Sequence, residues 1–260
     1  MLEVKFSISN LERQEQLLRF VRQHQRATVT EISERFSVSL ATVRRDLEAL
    51  AERGEIERFH GGAKAVYQAP PEAPVLLRSN EQAEEKRRIG RITTELIKDG
   101  ETVFLGSGTT VMEVARNLRY RRDLTVITNS LLVTNVLANL PNITVVGLGG
   151  VLRQSEMSMI GHLTEQALVE VNAHKTVIGI HALDVEQGLT NDYLPETMTD
   201  RAILARNGEK IVVADHTKCG RISTAFVAPI TAIDKLVTDS QAPQDFVDAL
   251  RAKGIEVLIA

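Results

Sequence analysis

Residues 38–62 read VSLATVRRDLEALAERGEIERFHGG and predict a helix that is followed by a short two-stranded ribbon. The apolar residues of the first half recur at helical spacing and fall on one stripe, which consists of Leu40, Val43, Leu47 and Leu50. Ser39 is placed to cap the first turn, and Gly54 is placed to end the helix in the left-handed conformation. The pattern therefore predicts a helix over about residues 40–53.

The face of this helix that points away from the apolar stripe is small near its N-terminus and then basic. Ala41, Thr42 and Arg45 lie on that face, while Arg44 and Asp46 flank the stripe. A helix that enters the major groove of DNA needs small side chains in its first turns, because bulk would hold it away from the bases. It also needs an arginine that reaches guanine or phosphate. The outward face meets both requirements.

The segment that follows the helix has the pattern of a two-stranded wing. Apolar and polar residues alternate around the pair Gly61-Gly62, as they would in a short antiparallel ribbon. Arg58, His60 and Lys64 would give this wing cationic or hydrogen-bonding tips.

An amphipathic helix with two arginines is by itself also typical of proteins that bind no DNA, so the element in front of it matters. Residues 30–36 (TEISERF) predict a short helix opened by Thr30, and Ser37-Val38 supply a tight turn. Two helices joined by so short a turn form a helix-turn-helix. Residues 11–21 predict a preceding helix whose Leu11, Leu18 and Val21 would complete a small core.

The order and spacing of these residues resemble the DNA-binding domain of the DeoR family of bacterial transcription regulators, also called the glycerol-3-phosphate repressor type. The matching residues are Val38-Ser39, Thr42-Val43-Arg44-Arg45-Asp46-Leu47, Leu50, Gly54 and Arg58-Phe59-His60-Gly61-Gly62-Ala63. The resemblance implies sequence-specific binding of double-stranded operator DNA by residues 5–64. The residues expected to contact DNA are Thr30, Ser39, Ala41, Thr42, Arg44, Arg45, Arg58, His60 and Lys64.

Length and composition predict a two-domain protein. With 260 residues, 43% of them hydrophobic, the chain can form two packed cores. The net charge of −3 does not indicate a nucleic-acid partner, so that hypothesis depends on where individual arginines lie. Cys219 is the only cysteine, which excludes an intramolecular disulfide and a multi-cysteine zinc site. Without a long apolar stretch or a signal-like N-terminus, we expect a cytoplasmic protein that does not engage a membrane.

A proline-rich segment separates the two predicted domains. Residues 65–80 contain Pro70, Pro71 and Pro74, which oppose a regular helix or a central strand. We therefore predict a DNA-binding domain over residues 1–64, a stiff linker over 65–80, and a sensing and oligomerisation domain over 81–260.

The second domain has an α/β pattern. Short apolar runs alternate with helical segments, the first of which spans about residues 81–98. The runs read TVFLG, LTVIT, ITVVG, TVIGI, KIVVAD, KLVTD and IEVLI. Strands that are apolar on both faces and separated by helices indicate a mostly parallel sheet with helices around it. Ligands of such folds lie beyond the carboxyl ends of the strands.

The loop after the first of these strands suits an anion. Gly106 and Gly108 allow a sharp turn, while Ser107, Thr109 and Thr110 offer hydroxyl groups beside the free N–H groups of a helix start. The loop lacks the lysine of a P-loop and the third glycine of a dinucleotide fingerprint. A purely structural turn with a threonine cap remains the alternative at this point.

Other strand ends carry polar or glycine residues as well. Thr128-Asn129-Ser130, Gly149-Gly150, and Asp215 with Lys218 each follow an apolar run. Lys218 could neutralise a phosphate, or it could be a solvated loop lysine. These motifs resemble the effector domain of the DeoR family, which is related to the ribose-5-phosphate isomerase and CoA-transferase folds. The resemblance, over about residues 8–258, implies a phosphorylated sugar as effector and no cofactor.

The sequence departs from the family pattern at three places. They are Gly106, where the family often has an acidic residue; residues 179–182, in place of a Gly-x-Asp-Gly turn; and the surroundings of Asp200, where a lysine is usual. His181, Asp192 and Glu196 could line a pocket specific to this chain. The simpler interpretation is that Asp192 and Glu196 are solvated acids at a helix start.

Catalysis is the main alternative, because the fold is shared with enzymes. A sugar-phosphate isomerase needs a carboxylate base, for which Asp184, Glu186 and Asp215 are candidates, but none lies in a glycine-rich segment of isomerase type. The histidines lack metal-ligand spacing. We therefore expect a non-enzymatic repressor that forms dimers or tetramers and leaves its operator when a phosphorylated sugar binds. An isomerase or transferase with a DNA-binding appendage, and a constitutive DNA-binding factor without effector, remain open alternatives.

Overall fold

The computed structural model describes residues 10–24, 26–52, 55–65 and 69–260. The chain divides into two compact units, Met1–Tyr67 and Gln68–Ala260. The boundary lies inside the segment predicted as a linker. In the described part of the chain, no helix is long and apolar enough to cross a membrane.

The first unit contains three helices and a small antiparallel sheet. Its elements are α1 (Asn10–His24), β1 (Arg26–Thr28), α2 (Val29–Phe36), α3 (Leu40–Glu52), β2 (Ile56–Phe59) and β3 (Gly62–Ala65). The strands pair in the order β1-β3-β2, so the predicted wing is present and gains a third strand. Sequence reasoning missed β1 because three residues are too few to show an alternation.

The caps of the helix-turn-helix agree with the sequence at α3 and differ at α2. Ser39 caps α3, since its Oγ accepts a hydrogen bond from the Thr42 N–H at 3.2 Å. The prediction that Thr30 opens α2 was wrong, because Thr28 is the N-cap and forms a capping box with Glu31. The Glu31 N–H donates to Thr28 Oγ1 at 3.2 Å, and the Thr28 N–H donates to Glu31 Oε2 at 2.7 Å. The predicted helix end at Gly54 lies outside the described residues.

Two residues that were predicted in the core of the first unit lie outside it. Leu40 and Leu11 are exposed, with 44% and 64% of their surface accessible. In α1, Leu17 is buried in place of Leu11, together with the predicted Leu18 and Val21. Asp46, predicted at the edge of the stripe, is buried. Its carboxylate accepts hydrogen bonds from Arg13 Nε at 2.6 Å and Arg13 Nη2 at 3.0 Å. A two-point ion pair therefore joins α1 to α3.

Removing this ion pair should destabilise the first unit. Asp46→Ala leaves the largely buried Arg13 guanidinium without its partner, so we expect the free energy of unfolding to fall by about 2 kcal/mol. Chemical denaturation of the full chain, followed by a probe in the first unit, measures this change. Glu48→Ala, at an exposed position of the same helix, is the matched control. Equal stability of the Asp46 and Glu48 variants would contradict the expectation.

The second unit is built on a seven-stranded sheet in which every neighbouring pair is parallel. Its strands are β4 (Thr102–Leu105), β5 (Leu124–Thr128), β6 (Ile143–Gly147), β9 (Lys175–Gly179), β12 (Glu209–Val213), β14 (Lys235–Thr238) and β15 (Glu256–Ile259). These are the seven apolar runs of the sequence, so the predicted α/β fold with a parallel sheet is confirmed.

Helices cover both faces of this sheet. Neighbouring strand residues point to opposite sides, and apolar residues on both sides pack against the helices. The helices are α4 (Ala83–Glu95), α5 (Thr109–Asn117), α6 (Leu131–Leu137), α7 (His162–Val169), α8 (Leu194–Leu204) and α9 (Gln244–Ala252). In β4, for example, Val103 and Leu105 join one buried cluster and Phe104 joins the other. Both faces of the sheet are therefore buried from solvent, which explains why the strands are near-continuous apolar runs.

Two short antiparallel elements were not predicted. They are a hairpin of β7 (Val151–Arg153) with β8 (Ser158–Ile160), and a sheet of β10 (Ala182–Asp184), β11 (Gly188–Asn191) and β13 (Ala225–Ala228). Their strands contain three or four residues each, and β13 is far from β10 and β11 in the sequence. Local periodicity therefore carries little signal for them.

The strand order β15-β14-β12-β9-β4-β5-β6 determines where a ligand can bind. From β4 the chain proceeds to β5 and β6 on one side of the sheet, and then to β9, β12, β14 and β15 on the other. The reversal leaves a crevice at the carboxyl ends of β4 and β9, which is the usual ligand position of such sheets.

The proline-containing segment after the unit boundary lies against the second unit. The Ala69 N–H donates to the Ile222 carbonyl at 2.7 Å, and the Val75 N–H donates to the Ser155 carbonyl at 2.7 Å. Val75 is buried. Prolines exclude a helix or a central strand in this segment, but they leave an extended chain free to pack through its other residues.

Candidate functional site

The outward face of α3 presents the residues predicted to read DNA. Ala41, Arg44 and Arg45 are exposed, and Thr42 is partly buried. The Thr42 hydroxyl lies 2.9 Å from Ser39 Oγ, so the cap also orients this side chain. Thr30 is exposed in the first turn of α2. These positions share the arrangement of a helix-turn-helix surface.

The residues that were predicted to give the wing its cationic or hydrogen-bonding tips are exposed, and one of them forms an ion pair. Arg58, His60 and Lys64 are all exposed. Lys64 Nζ lies 3.0 Å from Glu57 Oε2 on the neighbouring strand, so its charge is partly offset. Sequence reasoning missed Arg26, whose guanidinium lies 4.0 Å from the centre of the Phe59 ring and adds a cation beside the wing.

The second unit contains a cavity of about 220 Å³ at the carboxyl ends of β4, β9 and β12. These three strands are adjacent in the sheet. Six of the predicted ligand-binding residues line the cavity, namely Ser107, Gly108, Thr109, Thr110, Asp215 and Lys218. The cavity therefore coincides with the crevice that the strand order creates.

One part of the cavity lining suits an anion. Gly108 precedes α5 with φ 109°, a conformation that favours glycine, and the first N–H groups of α5 follow it. Thr109 and Thr110 are buried at this helix start. Lys218 and Lys86 add positive charge, and Lys86 Nζ donates to the Arg78 carbonyl at 3.0 Å. Sequence reasoning missed Lys86, and burial lowers the pKa of its ammonium group.

The polar residues after β5 were predicted to bind the ligand, and they do not line this cavity. The Thr128 hydroxyl accepts from the Ser130 N–H at 3.0 Å, and the Ser130 hydroxyl caps α6 by accepting from the Val133 N–H at 3.3 Å. Asn129 Nδ2 donates to the Met159 carbonyl at 2.9 Å. β5 lies beyond β4 from the reversal of strand order, so its end is used for packing.

The glycines predicted at the site also have structural roles outside the cavity lining. A Cβ at Gly150 would lie 2.1 Å from Thr164 Oγ1, and the Gly149 carbonyl accepts from the same hydroxyl at 2.7 Å. Gly106 packs against Ile178, where a Cβ would come within 3.2 Å of Cγ2. Close packing accounts for glycine at positions 106 and 150, and none of the three glycines lines the cavity.

An unpredicted carboxylate lies among the cavity cations. Glu72, from the proline-containing segment, forms ion pairs with Lys218 and, at 2.9 Å, with Arg78 Nη1. Its Oε2 also lies 3.4 Å from His181 Nδ1. Burial raises the pKa of Glu72, but His181, Lys218 and Arg78 outweigh burial and lower that pKa to about 2. Glu72 is therefore ionised at neutral pH.

The remaining part of the lining is acidic. Glu196 is buried, pairs with Arg153 and accepts from Ser158 Oγ at 2.9 Å. Asp192 lies 3.4 Å from Arg153 Nη2. The interpretation as a solvated acid was therefore wrong for Glu196, which is buried beside Arg153 and lines the cavity. Asp192 keeps 24% of its side chain exposed and does not line the cavity.

Asp200 completes this acidic part of the cavity. Its Oδ2 accepts from Asn191 Nδ2 at 2.8 Å, and it forms no ion pair with any of the described residues. Burial raises the pKa of Asp200 to about 8, and the nearby charge of Glu196 adds to the effect. Glu156 behaves similarly, since burial raises its pKa to about 6 against the opposing charge of Arg78.

Comparison with known proteins adds the family. Residues 81–240 match the DeoR C terminal sensor domain, and residues 13–69 match the DeoR-like helix-turn-helix domain. The chain belongs to the DeoR family. The resemblance seen in the sequence is therefore confirmed, and the chain is a DeoR-family transcriptional repressor with a DNA-binding domain and a sensor domain.

Curated DeoR-family relatives align along nearly the whole chain. The transcriptional repressor AccR of Agrobacterium fabrum is 34% identical, over 89% of this chain and 90% of its own. The repressor GlcR of Bacillus subtilis is 35% identical, with 95% of each chain covered. The glycerol-3-phosphate regulon repressor of Escherichia coli is 32% identical, over 95% of this chain and 97% of its own.

Among solved structures, ribose 5-phosphate isomerase A from Methanocaldococcus jannaschii resembles the chain at a TM-score of 0.40 and 17% identity. It covers 53% of this chain and 55% of its own. A likeness at this level carries no functional argument. The family is one of regulators, not of enzymes.

The carboxylates considered as catalytic bases have other roles in this DeoR-family chain. Asp184 Oδ1 accepts from the N–H groups of Glu186 and Gln187 at 2.9 Å in a turn, and neither Asp184 nor Glu186 lines the cavity. Asp215 does line it, but its Oδ1 caps a short turn by accepting from the Thr217 N–H at 3.0 Å.

The raised pKa of Asp200 predicts how stability depends on pH. Folding raises the pKa of this carboxyl group from about 3.9 in the unfolded chain. At pH values below about 3.9 the group is protonated in both states, so it does not lower the free energy of unfolding. Its cost grows as pH rises and is complete above the folded pKa of about 8. Asp200→Asn keeps the shape without the charge, so it should raise the melting temperature by roughly 3 °C more at pH 9 than at pH 5.

Thermal unfolding of the full chain at both pH values measures this difference. Asp248→Asn, the same change at an exposed site on α9, should show no such pH dependence. A melting temperature of Asp200→Asn that runs parallel to wild type from pH 5 to pH 9 would contradict the assignment.

Proposed function

We propose that this chain represses a carbohydrate-catabolism operon and leaves its operator when a phosphorylated sugar binds in the cavity of the sensor domain. The observation that carries the proposal is the meeting of the α5 helix start with Lys218 and Lys86 in one cavity. Helix N–H groups and an ammonium group together form a site for a phosphate. Hydroxyl and amide groups elsewhere in the lining suit a sugar.

Glu72 offers a route from this cavity to the DNA-binding domain. Its carboxylate occupies Lys218 and Arg78, which are groups that a phosphate would attract. A bound phosphate would therefore compete with Glu72 for the same cations. Glu72 attaches the proline-containing segment to the second unit through these ion pairs. Losing them would weaken that attachment.

That segment continues directly into the domain boundary between Tyr67 and Gln68. Besides the ion pairs of the Glu72 side chain, two backbone hydrogen bonds attach the segment to the second unit. The Ala69 N–H donates to the Ile222 carbonyl, and the Glu72 N–H donates to Asp192 Oδ2 at 3.3 Å. We call these contacts the anchors of the segment. We propose that the effector favours a state in which these anchors are released, and that this state binds the operator less well. Reciprocity requires that operator DNA weaken effector binding by the same factor.

Operator recognition in this proposal requires more than one chain. A helix-turn-helix domain alone has a small interface with DNA, so pairs of domains on two half-sites are the usual solution. We propose a dimer or a tetramer assembled through the second unit. Light scattering of the full chain in solution measures the mass, and a single-chain mass with and without DNA would contradict this part of the proposal.

The proposal as a whole is tested by operator release. A duplex selected by the chain from random DNA is labelled, and its binding is followed by fluorescence anisotropy while pentose and hexose phosphates are added. At least one phosphorylated sugar should weaken binding tenfold or more, whereas its unphosphorylated form and inorganic phosphate should act weakly. Unchanged affinity across the whole panel would contradict effector control and favour a constitutive DNA-binding factor.

A further inference from the structure

The cavity lining divides its charges between two groups. The charges that act most on Lys86 are those of Asp215, Lys218, Arg78 and Glu81. The charges that act most on Asp200 are those of Glu196, Arg153 and Glu156. The two sets share no member, yet all of these residues line one cavity. Lys86 and Lys218 belong to a cationic region of the lining, and Glu196 and Asp200 belong to an acidic region. The ion pair of Arg78 with Glu156 joins the two regions.

The acidic region contains one acid, Asp200, that no cation among the described residues pairs with, whereas Glu156 pairs with Arg78. Arg153 pairs with Glu196 and Asp192, and this leaves Asp200 with a single hydrogen bond from the Asn191 amide. Asp200 is partly exposed and lines the cavity. With a pKa raised to about 8, Asp200 is mostly protonated at neutral pH, and a positive charge placed beside it would favour its carboxylate form.

A second observation indicates that this cavity is built for a polar ligand. His181 has only 2% of its side chain exposed, and it lines the cavity. Its Nε2 has no hydrogen-bond partner among the described residues. Buried polar groups in native structures are normally paired, so an orphan ring nitrogen in a cavity wall points to a group supplied by the ligand.

From these observations we infer that the effector is a phosphorylated amino sugar, whose protonated amine lies between Asp200 and Glu196 while its phosphate lies at Lys218 and the start of α5. This inference rests on the proposed function and names the class of sugar phosphate. An amine satisfies the acidic region through charge and through N–H donors, whereas a hydroxyl supplies only a neutral donor.

The test compares matched ligands on the full chain by isothermal titration calorimetry at pH 7. The probes are glucosamine 6-phosphate, N-acetylglucosamine 6-phosphate and glucose 6-phosphate, with the galactose-configured equivalents as a second set. In at least one set, the free amine should bind about tenfold more tightly than the hydroxyl compound. The acetylated compound, which keeps the N–H but loses the charge, should lose that advantage. Charge pairs in partly desolvated sites contribute on this scale.

Asp200→Asn should reduce the preference for the amine over the hydroxyl compound to less than threefold. Asp248→Asn, at an exposed site on α9, should keep the full preference. The wild-type comparison needs no variant, so the inference stays testable if Asp200→Asn folds poorly.

The outcomes separate the inference from the proposed function. Equal or tighter binding of the hydroxyl or acetylated compounds in both sets would overturn the amino-sugar inference and leave sugar-phosphate sensing in place. Failure of every phosphorylated sugar to bind, here and in the operator-release panel, would overturn both.

Discussion

Arg45→Ala should weaken binding of the full chain to its operator by tenfold to a hundredfold, which corresponds to about 1–3 kcal/mol. Arg45 lies on the exposed face of α3, one helical turn after the small residues Ala41 and Thr42. Those small residues would allow the helix to approach the bases, and a guanidinium at this position can then donate two hydrogen bonds to a guanine. Fluorescence anisotropy with the selected duplex measures the loss.

The control for this experiment is Arg19→Ala, which removes the same charge from an exposed position on α1. A loss of operator affinity for Arg45→Ala that is matched by Arg19→Ala would indicate a general charge effect. A base-reading role further requires that Arg45→Ala lose more affinity for the operator than for random duplex DNA, since phosphate contacts are shared by both. Equal affinity of Arg45→Ala and wild type for the operator would contradict the placement of α3 in the groove.

Lys218→Ala should abolish most of the effector response, raising the effector concentration needed for operator release by tenfold or more. Lys218 is the cavity ammonium that pairs with Glu72, and a charge-assisted hydrogen bond to a phosphate contributes on the order of 1.5–3 kcal/mol. Operator affinity without effector measures whether the DNA-binding unit is intact. Lys98→Ala removes an exposed lysine from the same unit and should respond as wild type does. A normal response of Lys218→Ala would exclude this residue from the phosphate site.

Glu72→Gln should have the opposite effect on effector binding. The variant removes the carboxylate that shares Lys218 and Arg78 with the incoming phosphate, so the effector should bind about tenfold more tightly. Operator release at saturating effector should become smaller, because the segment is already loosened. Glu84→Gln, an exposed position on α4, is the matched control. Weaker effector binding by Glu72→Gln would mean that Glu72 supports the site and does not compete for it.

The sequence predicted the sheet and the recognition helix well, because both depend on local patterns. All seven parallel strands are apolar runs, and α3 is indicated by its cap at Ser39 and by its periodic leucines. The start of α2 was misplaced at Thr30 although the pair Thr28 and Glu31 fits a capping box. The buried pair of Arg13 and Asp46 could not be predicted, because its members lie 33 residues apart on different helices.

The candidate site was predicted only in part for a topological reason. Polar residues follow several strands, but only β12, β9 and β4 are neighbours at the point where the strand order reverses. The sequence does not contain that order, so the ends of β5 and β6 appeared equivalent to the others. Glu72 and Arg78 were missed because proline-rich segments are normally interpreted as linkers. Charged residues within such a segment were the available signal.

In the proposed mechanism, the position of Glu72 sets the effector concentration at which the chain responds. A carboxylate tethered beside its cations acts at an effective concentration that is typically in the millimolar range for a short connection. The effector must therefore bind the cations tightly enough, at its own concentration, to displace a carboxylate that is present at this effective concentration. Changes in the segment around Val75 would alter how firmly the tether is held without touching the cavity. Sensitivity and specificity could therefore evolve separately, one through the tether and the other through the acids near Asn191.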